Sequence, residues 1–312
     1  MHLDVVDNLP AEISGGIGAA LPRNQLTPVC PNCGSANQMS AQQTPSQQAI
    51  PALTPAQGRT YIYAIGRIEA RFPSISVEKE FAQALGRAGT AGKTDREAFC
   101  EVLSDRDNLY LARQLCWVMR ISDVDTYLVV AKNSGDIGLL IETLRPSADA
   151  GILDAVIGVK GPMAPPEMCN GLTLPVVFFD HLYSFDRQSL LKSIPAPKNA
   201  GAEFNATTAE VWDRIVASTD NAGATDGHRA LNYVALRDPG IYACTLDSYG
   251  RDLALTGIEV RPWRLSTARK VVELLFVFTH RKNQFVEKYS VRVDVTDLFP
   301  FLVSKISRYY DH

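Results

Sequence analysis

The sequence has 312 residues, 46% hydrophobic and 21% charged, which is close to the globular average and excludes wholesale disorder. Its 31 Lys and Arg against 34 Asp and Glu leave a formal charge of −3, too little positive charge for general affinity toward nucleic acid or anionic membranes. No apolar run reaches the roughly 18 residues of a membrane span, and the start, Met1-His-Leu-Asp, lacks the basic region and apolar core of a signal peptide.

The first sixty residues differ from the rest. Cys30-Pro31-Asn32-Cys33-Gly34 sets two thiols two residues apart, with a glycine for the tight turn, as in one half of a tetrahedral zinc knuckle. A redox dithiol uses the same spacing but opens a helix in a βαβ unit; here a polar stretch follows, which favours zinc. Residues 36–58 are rich in Gln, Pro, Ser and Ala and read as a flexible linker. The organisation expected is an N-terminal segment over 1–35, a linker over 36–59 and a folded body over 60–312.

From Tyr61 the pattern becomes regular. Tyr61–Ala70 alternates and is β-branched and aromatic, a strand. Ser76 opens a helix with Val77, Phe81, Ala84 and Leu85 on one face. Thr94-Asp-Arg-Glu is a capping box for a helix carrying Phe99, Cys100 and Leu103. Apolar residues at 109, 112, 115, 116 and 119 predict a buried helix over Leu109–Met119. Thr126–Ala131 is a strand, Asp136–Leu144 a helix, and Leu153–Val159 and Leu174–Phe179 are strands around a Pro-rich loop. Thr207-Thr-Ala-Glu is a second capping box, starting a helix through Val216. Arg229–Leu236 and Ile241–Tyr249 are helices split by Asp238-Pro239. Leu253–Arg261, Val271–Thr279 and Glu287–Val295 suit an antiparallel meander with a hairpin tip at His280. The fold class is α+β, mixed helices with an antiparallel sheet.

Catalytic signatures are missing. No Gly-x-Ser-x-Gly elbow accompanies His181, His228 or His280, and there is no phosphate loop and no His-Glu-x-x-His. Cys100, Cys116 and Cys244 read as buried helical thiols. Cys169 lies in a loop, with His181 after the next strand. This leaves a Cys/His nucleophile pair as an alternative to a structural thiol. Six cysteines with one close pair in a 34.2 kDa chain need no disulfide staples, so the expected compartment is the reducing cytoplasm.

Several segments together resemble one family: Cys30-Pro-Asn-Cys-Gly-Ser with its Gln/Ser-rich sequel, Tyr61–Phe81, Tyr110–Val118, Cys169-Asn-Gly, Phe179–Asp186, Arg229-Ala-Leu-Asn-Tyr and Phe285–Asp311. They are similar to the C-terminal domain of the cyanobactin (patellamide-type) maturation proteases, a domain of unknown function that follows a subtilisin-like region. The resemblance runs over roughly 30–312 and implies a stand-alone accessory domain, because no protease region is matched ahead of it. It transfers no catalytic residues. It implies a non-catalytic accessory role in ribosomal peptide natural-product biosynthesis, with a precursor peptide or a biosynthetic enzyme as partner. The alternatives are a peptide-modifying enzyme using Cys169 and His181, and a zinc-dependent dimerisation scaffold. Polar and aromatic residues flanking predicted strands are the binding candidates: Arg67, Arg71 and Phe72 before the turn at Pro73, and His181, Tyr183 and Asp186.

Structural zinc needs four ligands, at about 2.3 Å for sulfur. Cys30 and Cys33 supply two, leaving Cys169, Cys244, a histidine or a second chain for the rest. A homodimer sharing a four-cysteine site ties association to metal. Elemental analysis with sedimentation is expected to find zinc in the wild type and none in a Cys30→Ser/Cys33→Ser variant. A metal-free wild type purified without chelator would exclude the site.

Overall fold

The computed structural model describes residues 59–88, 92–145, 151–194, 203–216, 220–263 and 269–310. All belong to one unit, Gln48–His312. Cys30, Cys33, the N-terminal segment and all but the last residue of the linker lie outside the described residues.

The alternating run after Thr60 forms β1 (Tyr61–Arg71). Its even residues Ile62, Ala64 and Ile68 face one core, and its odd residues Tyr63 and Ile65 face two others. Ser74 accepts from the Val77 N–H and starts α1 (Ile75–Ala88), which buries Val77, Phe81 and Ala84 as its spacing predicts. The Thr94 capping box is present, with both reciprocal bonds, at the head of α2 (Asp95–Ser104). The long helix expected over Leu109–Met119 is not found. Helix α3 (Leu109–Gln114) stops after six residues, and Cys116–Ile121 is a strand, β2. A strand covered on both faces is apolar throughout, and such a short run cannot be told from a buried helix by periodicity alone.

Strand β3 (Val124–Ala131), α4 (Ile137–Glu142), β4 (Ile152–Met163) and β5 (Pro175–Asp186) follow. The first five strands close a barrel in the order β1-β2-β3-β5-β4, antiparallel except for the β3–β5 pair. Helices α1–α4 contribute Phe81, Leu103, Leu111 and Leu140 to the core that fills the barrel. Next come α5 (Arg187–Ser193), α6 (Glu203–Val216), α7 (Asp226–Arg237) and α8 (Pro239–Gly250). Helix α6 begins at Glu203, so Thr207 lies inside it rather than at its cap. The chain ends in a meander of β6 (Leu253–Trp263), β7 (Val271–His280), β8 (Val286–Asp294) and β9 (Phe301–Tyr309). Its inner face, with Leu274, Phe276 and Val291, shares a second core with Trp212 of α6 and with α7 and α8.

Cys116 and Cys169 correct the cysteine reading: Cys116 is on a strand, not a helix, and the two sulfurs form a disulfide, with Cα atoms 5.9 Å apart. The bond lies in a small apolar cluster with Val118, Leu128 and Phe178. It fastens the Pro-rich loop between β4 and β5 to the outside of the barrel.

Barrel closure turns on β1, which pairs with β4 over Tyr61–Gly66 and with β2 over Arg67–Arg71. Near this switch the Ile68 N–H is bonded by the buried Asp154 carboxylate of β4 at 2.7 Å, and Ser184 donates to its other oxygen at 2.6 Å. Burial raises the Asp154 pKa to about 6 from 3.8. The fold thus binds this proton more tightly than the unfolded chain does. The contribution is complete below about pH 4 and is lost as pH rises through 6, a change of roughly 3 kcal/mol at 1.36 kcal/mol per unit. An Asp154→Asn variant can still accept from the Ile68 N–H with its amide oxygen and donate to the Ser184 hydroxyl with its NH2, and has no proton to exchange. Urea unfolding from pH 4 to 7 is expected to show the wild type losing stability relative to this variant; parallel curves would refute the assignment.

Candidate functional site

The outer face of the barrel over β1, β4 and β5 carries a row set by register: Tyr63 stands opposite Ile157, and Ile157 opposite His181. Two pairs further along β4 and β5, Ala155 stands opposite Tyr183. The row depends on a β-bulge, since pairing runs from Ile157–His181 directly to Gly158–Phe179 and leaves Asp180 as the extra residue. Gly158 permits it, because a Cβ there would sit 2.7 Å from the Phe179 Cα. The bulge shifts the alternation: Phe179 and Leu182, three apart, both face the barrel core, while Tyr183 and Phe185 face outward.

Helix α7 forms the opposing wall, and its placement follows from two polar side chains one turn apart. Arg229, 2% exposed, donates to the carbonyls of Val295 at 2.7 Å and Leu298 at 3.2 Å and to that of Asp297. Asn232, 1% exposed, donates to the Tyr63 carbonyl at 2.7 Å and exchanges bonds with Asn221. The Tyr63 N–H is bonded in turn to the Gly223 carbonyl at 3.0 Å. Gly223 has φ +70°, and a Cβ would collide with the β1 backbone. The segment before α7 therefore completes the stretch of β1 that β2 does not pair, and Tyr127 reinforces it by donating to the Ala222 carbonyl at 2.8 Å.

Between these walls lies a cleft of about 250 Å³. The barrel lends Tyr63, Ile157, His181 and Tyr183; α7 lends Tyr233 and Arg237; the loop held by Arg229 lends Phe299 and Pro300. The Tyr63 and Tyr183 hydroxyls are 3.3 Å apart, and the Arg237 guanidinium stands 5.4 Å from the centre of the Tyr183 ring. Burial pushes the Tyr63 phenol well above its usual range, so it stays protonated as a donor. Tyr183 and Tyr63 raise the pKa of Arg237, which keeps its charge. His181 meets Phe299 edge-on at 4.8 Å. Arg237 also lines a neighbouring cavity of about 210 Å³ with Leu190, Asp238 and Tyr242.

The sequence-derived candidates separate. His181 and Tyr183 line the cleft. Asp186 caps α5 by accepting from the Ser189 N–H at 2.6 Å. Arg71 is bidentate to Asp125, at 2.6 and 2.7 Å, and also pairs with Glu69. Phe72 packs against Phe81 and Phe99, both at 5.3 Å, and partly plugs the barrel core. Arg67 is exposed on β1, outside the cleft lining. The Cys169/His181 nucleophile pair does not form, because Cys169 is bonded to Cys116 and His181 stacks on Phe299. No group of three or more metal-ligating side chains occurs among the described residues. Tyr63, Tyr233, Arg237 and Phe299 were not singled out, although Tyr233 closes the Arg229-Ala-Leu-Asn-Tyr segment.

Residues 198–309 match a family model described as PatG C-terminal. This span takes in α6–α8 and the meander, hence one wall of the cleft and the Phe299 loop. A solved structure described as the PatG Domain of Unknown Function aligns with a TM-score of 0.66 at 18% identity, over 80% of this chain and 98% of that one. No curated protein matches the sequence. The first comparison likens residues 198–309 to a PatG C-terminal region, and the second shows a shared fold.

Replacing Asn232 by leucine keeps volume but strips the Tyr63 carbonyl and the Asn221 amide of their partner. At about 1–3 kcal/mol for each of these two buried groups, the Asn232→Leu variant is expected to lose roughly 2–6 kcal/mol in urea unfolding. An unchanged midpoint would show that this clamp does not hold the helix to the barrel.

Proposed function

With a PatG C-terminal-like fold as the premise, we propose that the chain is a non-catalytic accessory protein of cyanobactin-like ribosomal peptide biosynthesis. The cleft between the barrel and α7 is its binding site for a precursor peptide or for an exposed segment of a modifying enzyme. The observation that carries this reading is the cleft itself: rings from three separate elements around a charged arginine, held by buried main-chain bonds. Aromatic and arginine side chains at a concave surface are the types that dominate peptide and protein recognition. The disulfide leaves Cys169 no thiolate for nucleophilic chemistry, which supports binding over catalysis.

Cytoplasmic location is part of the proposal, and no helix among the described residues is long and apolar enough to cross a membrane. Disulfides are rare in a reducing compartment. Cys116 and Cys169 are 6% and 3% exposed, which screens their bond from soluble thiols. Zinc at Cys30 and Cys33, and self-association through it, rest on the Cys-x-x-Cys spacing.

Soluble random octapeptides with free termini, captured on the wild-type protein, are expected to yield binders that weaken tenfold or more on Phe299→Ala or Tyr233→Ala. Phe299→Ala should keep the wild-type melting temperature within a few degrees, since Phe299 lies at the cleft and outside the two main cores; Tyr233 also packs against the second core, so its variant is read beside its own melting temperature. Absence of selected binders, or equal affinity for the variants, would overturn the site. A mass change in a bound peptide that disappears in His181→Ala would overturn the non-catalytic reading.

A further inference from the structure

Arg237 differs in its company from Arg71, Arg251 and Arg292. Arg71 is paired with Asp125, Arg251 with Glu287 and Arg292 with Glu273, each carboxylate within 2.9 Å. The charge of Arg237 instead meets two phenols, Tyr63 and Tyr183, and among the described residues no carboxylate pairs with it. Its sequence neighbour Asp238 commits one oxygen to the Gly240 N–H at 2.9 Å, at the head of α8. A guanidinium is a fork of donors that matches the two oxygens of a carboxylate. The nearby hydroxyls add a donor, and His181 lies at the same cleft.

Space narrows the occupant. About 250 Å³ is below the roughly 300 Å³ at which drug-sized sites begin, so the cleft holds about one bulky residue. That residue has to present an apolar body to Tyr233 and Phe299 and an anion to Arg237. An internal acidic residue offers the anion without the body, and an internal aromatic offers the body without the anion. The last residue of a chain, when apolar, offers both.

We propose that the cleft recognises the free C-terminal carboxylate of a peptide ending in an aromatic or large apolar residue, with Arg237 as the carboxylate receptor. This rests on the reading of the cleft as a peptide site and names what the site selects.

The probes are N-acetyl-Gly-Gly-Phe with a free carboxylate, the same tripeptide as its C-terminal amide, and N-acetyl-Gly-Glu-Phe amide, titrated calorimetrically into the full chain. The free acid is expected to bind at least tenfold more tightly than either amide. That advantage should vanish in Arg237→Ala and return in part in Arg237→Lys. Arg237 is exposed at the end of α7, and an unchanged melting temperature verifies that the variants fold. Equal binding of acid and amide, rescue by the internal glutamate, a preference that survives Arg237→Ala, or no binding of any probe at millimolar concentration would each overturn the proposal. The octapeptide selection separates the two failures: binders that depend on Phe299 but not on Arg237 leave the cleft standing without the carboxylate.

Discussion

Arg229 and Asn232 on α7 reach in two directions and bond main-chain carbonyls of two separate segments. One takes the loop after β8, the other takes β1 at Tyr63. Buried carbonyls with no partner are costly, and this bridge serves carbonyls of the loop after β8 and that of Tyr63, whose N–H is likewise bonded outside the sheet, to Gly223. The same two contacts therefore fix how α7 stands against the barrel and where the Phe299 loop sits over it. The wall opposite the barrel and the loop that closes it are set by one helix and its two polar residues.

The barrel supplies its share through an irregularity. Without the extra residue at Asp180, strict alternation from Phe179 would turn residue 181 to the interior and residue 182 outward. The bulge instead leaves His181 beside Ile157 on the outer face and lets Leu182 join the core. A register error of one residue exchanges the two faces of a strand, and here it is built in and stabilised by Gly158. The cleft arises where the sheet departs from regularity, and such departures are common near functional sites.

Much of the fold was legible because local signals agreed. The capping box at Thr94, the alternation of Tyr61–Ala70, the break at Asp238-Pro239 and the terminal meander each carry a mechanism within a few residues. The misreadings share a different cause. Cys116–Ile121 is covered on both sides, which erases the period that separates strand from helix. Strand β9 escaped notice because its residues alternate between exposed and half-buried, with two irregularities of register against β8. The cleft was half legible. His181 and Tyr183 stood out as polar aromatic residues after a strand, but their partners Tyr63, Tyr233 and Phe299 come from positions 63 to 299, and only the tertiary fold joins them. Arg71 and Phe72 had the right chemistry for binding and are occupied by Asp125 and by the rings of Phe81 and Phe99.

A bond from a side chain to a backbone carbonyl is indifferent to which residue owns that carbonyl. Because Arg229 and Asn232 fasten the domain through the main chain of Val295, Leu298 and Tyr63, substitutions at those three positions leave the fastening intact. The residues following Leu298, such as the exposed Phe299, are thus free to vary with little penalty to the architecture, whereas the ring of Tyr63 is buried. Over evolutionary time such a scaffold can exchange the rings and charges of its cleft one at a time, acquiring a new ligand while the frame that presents it stays put.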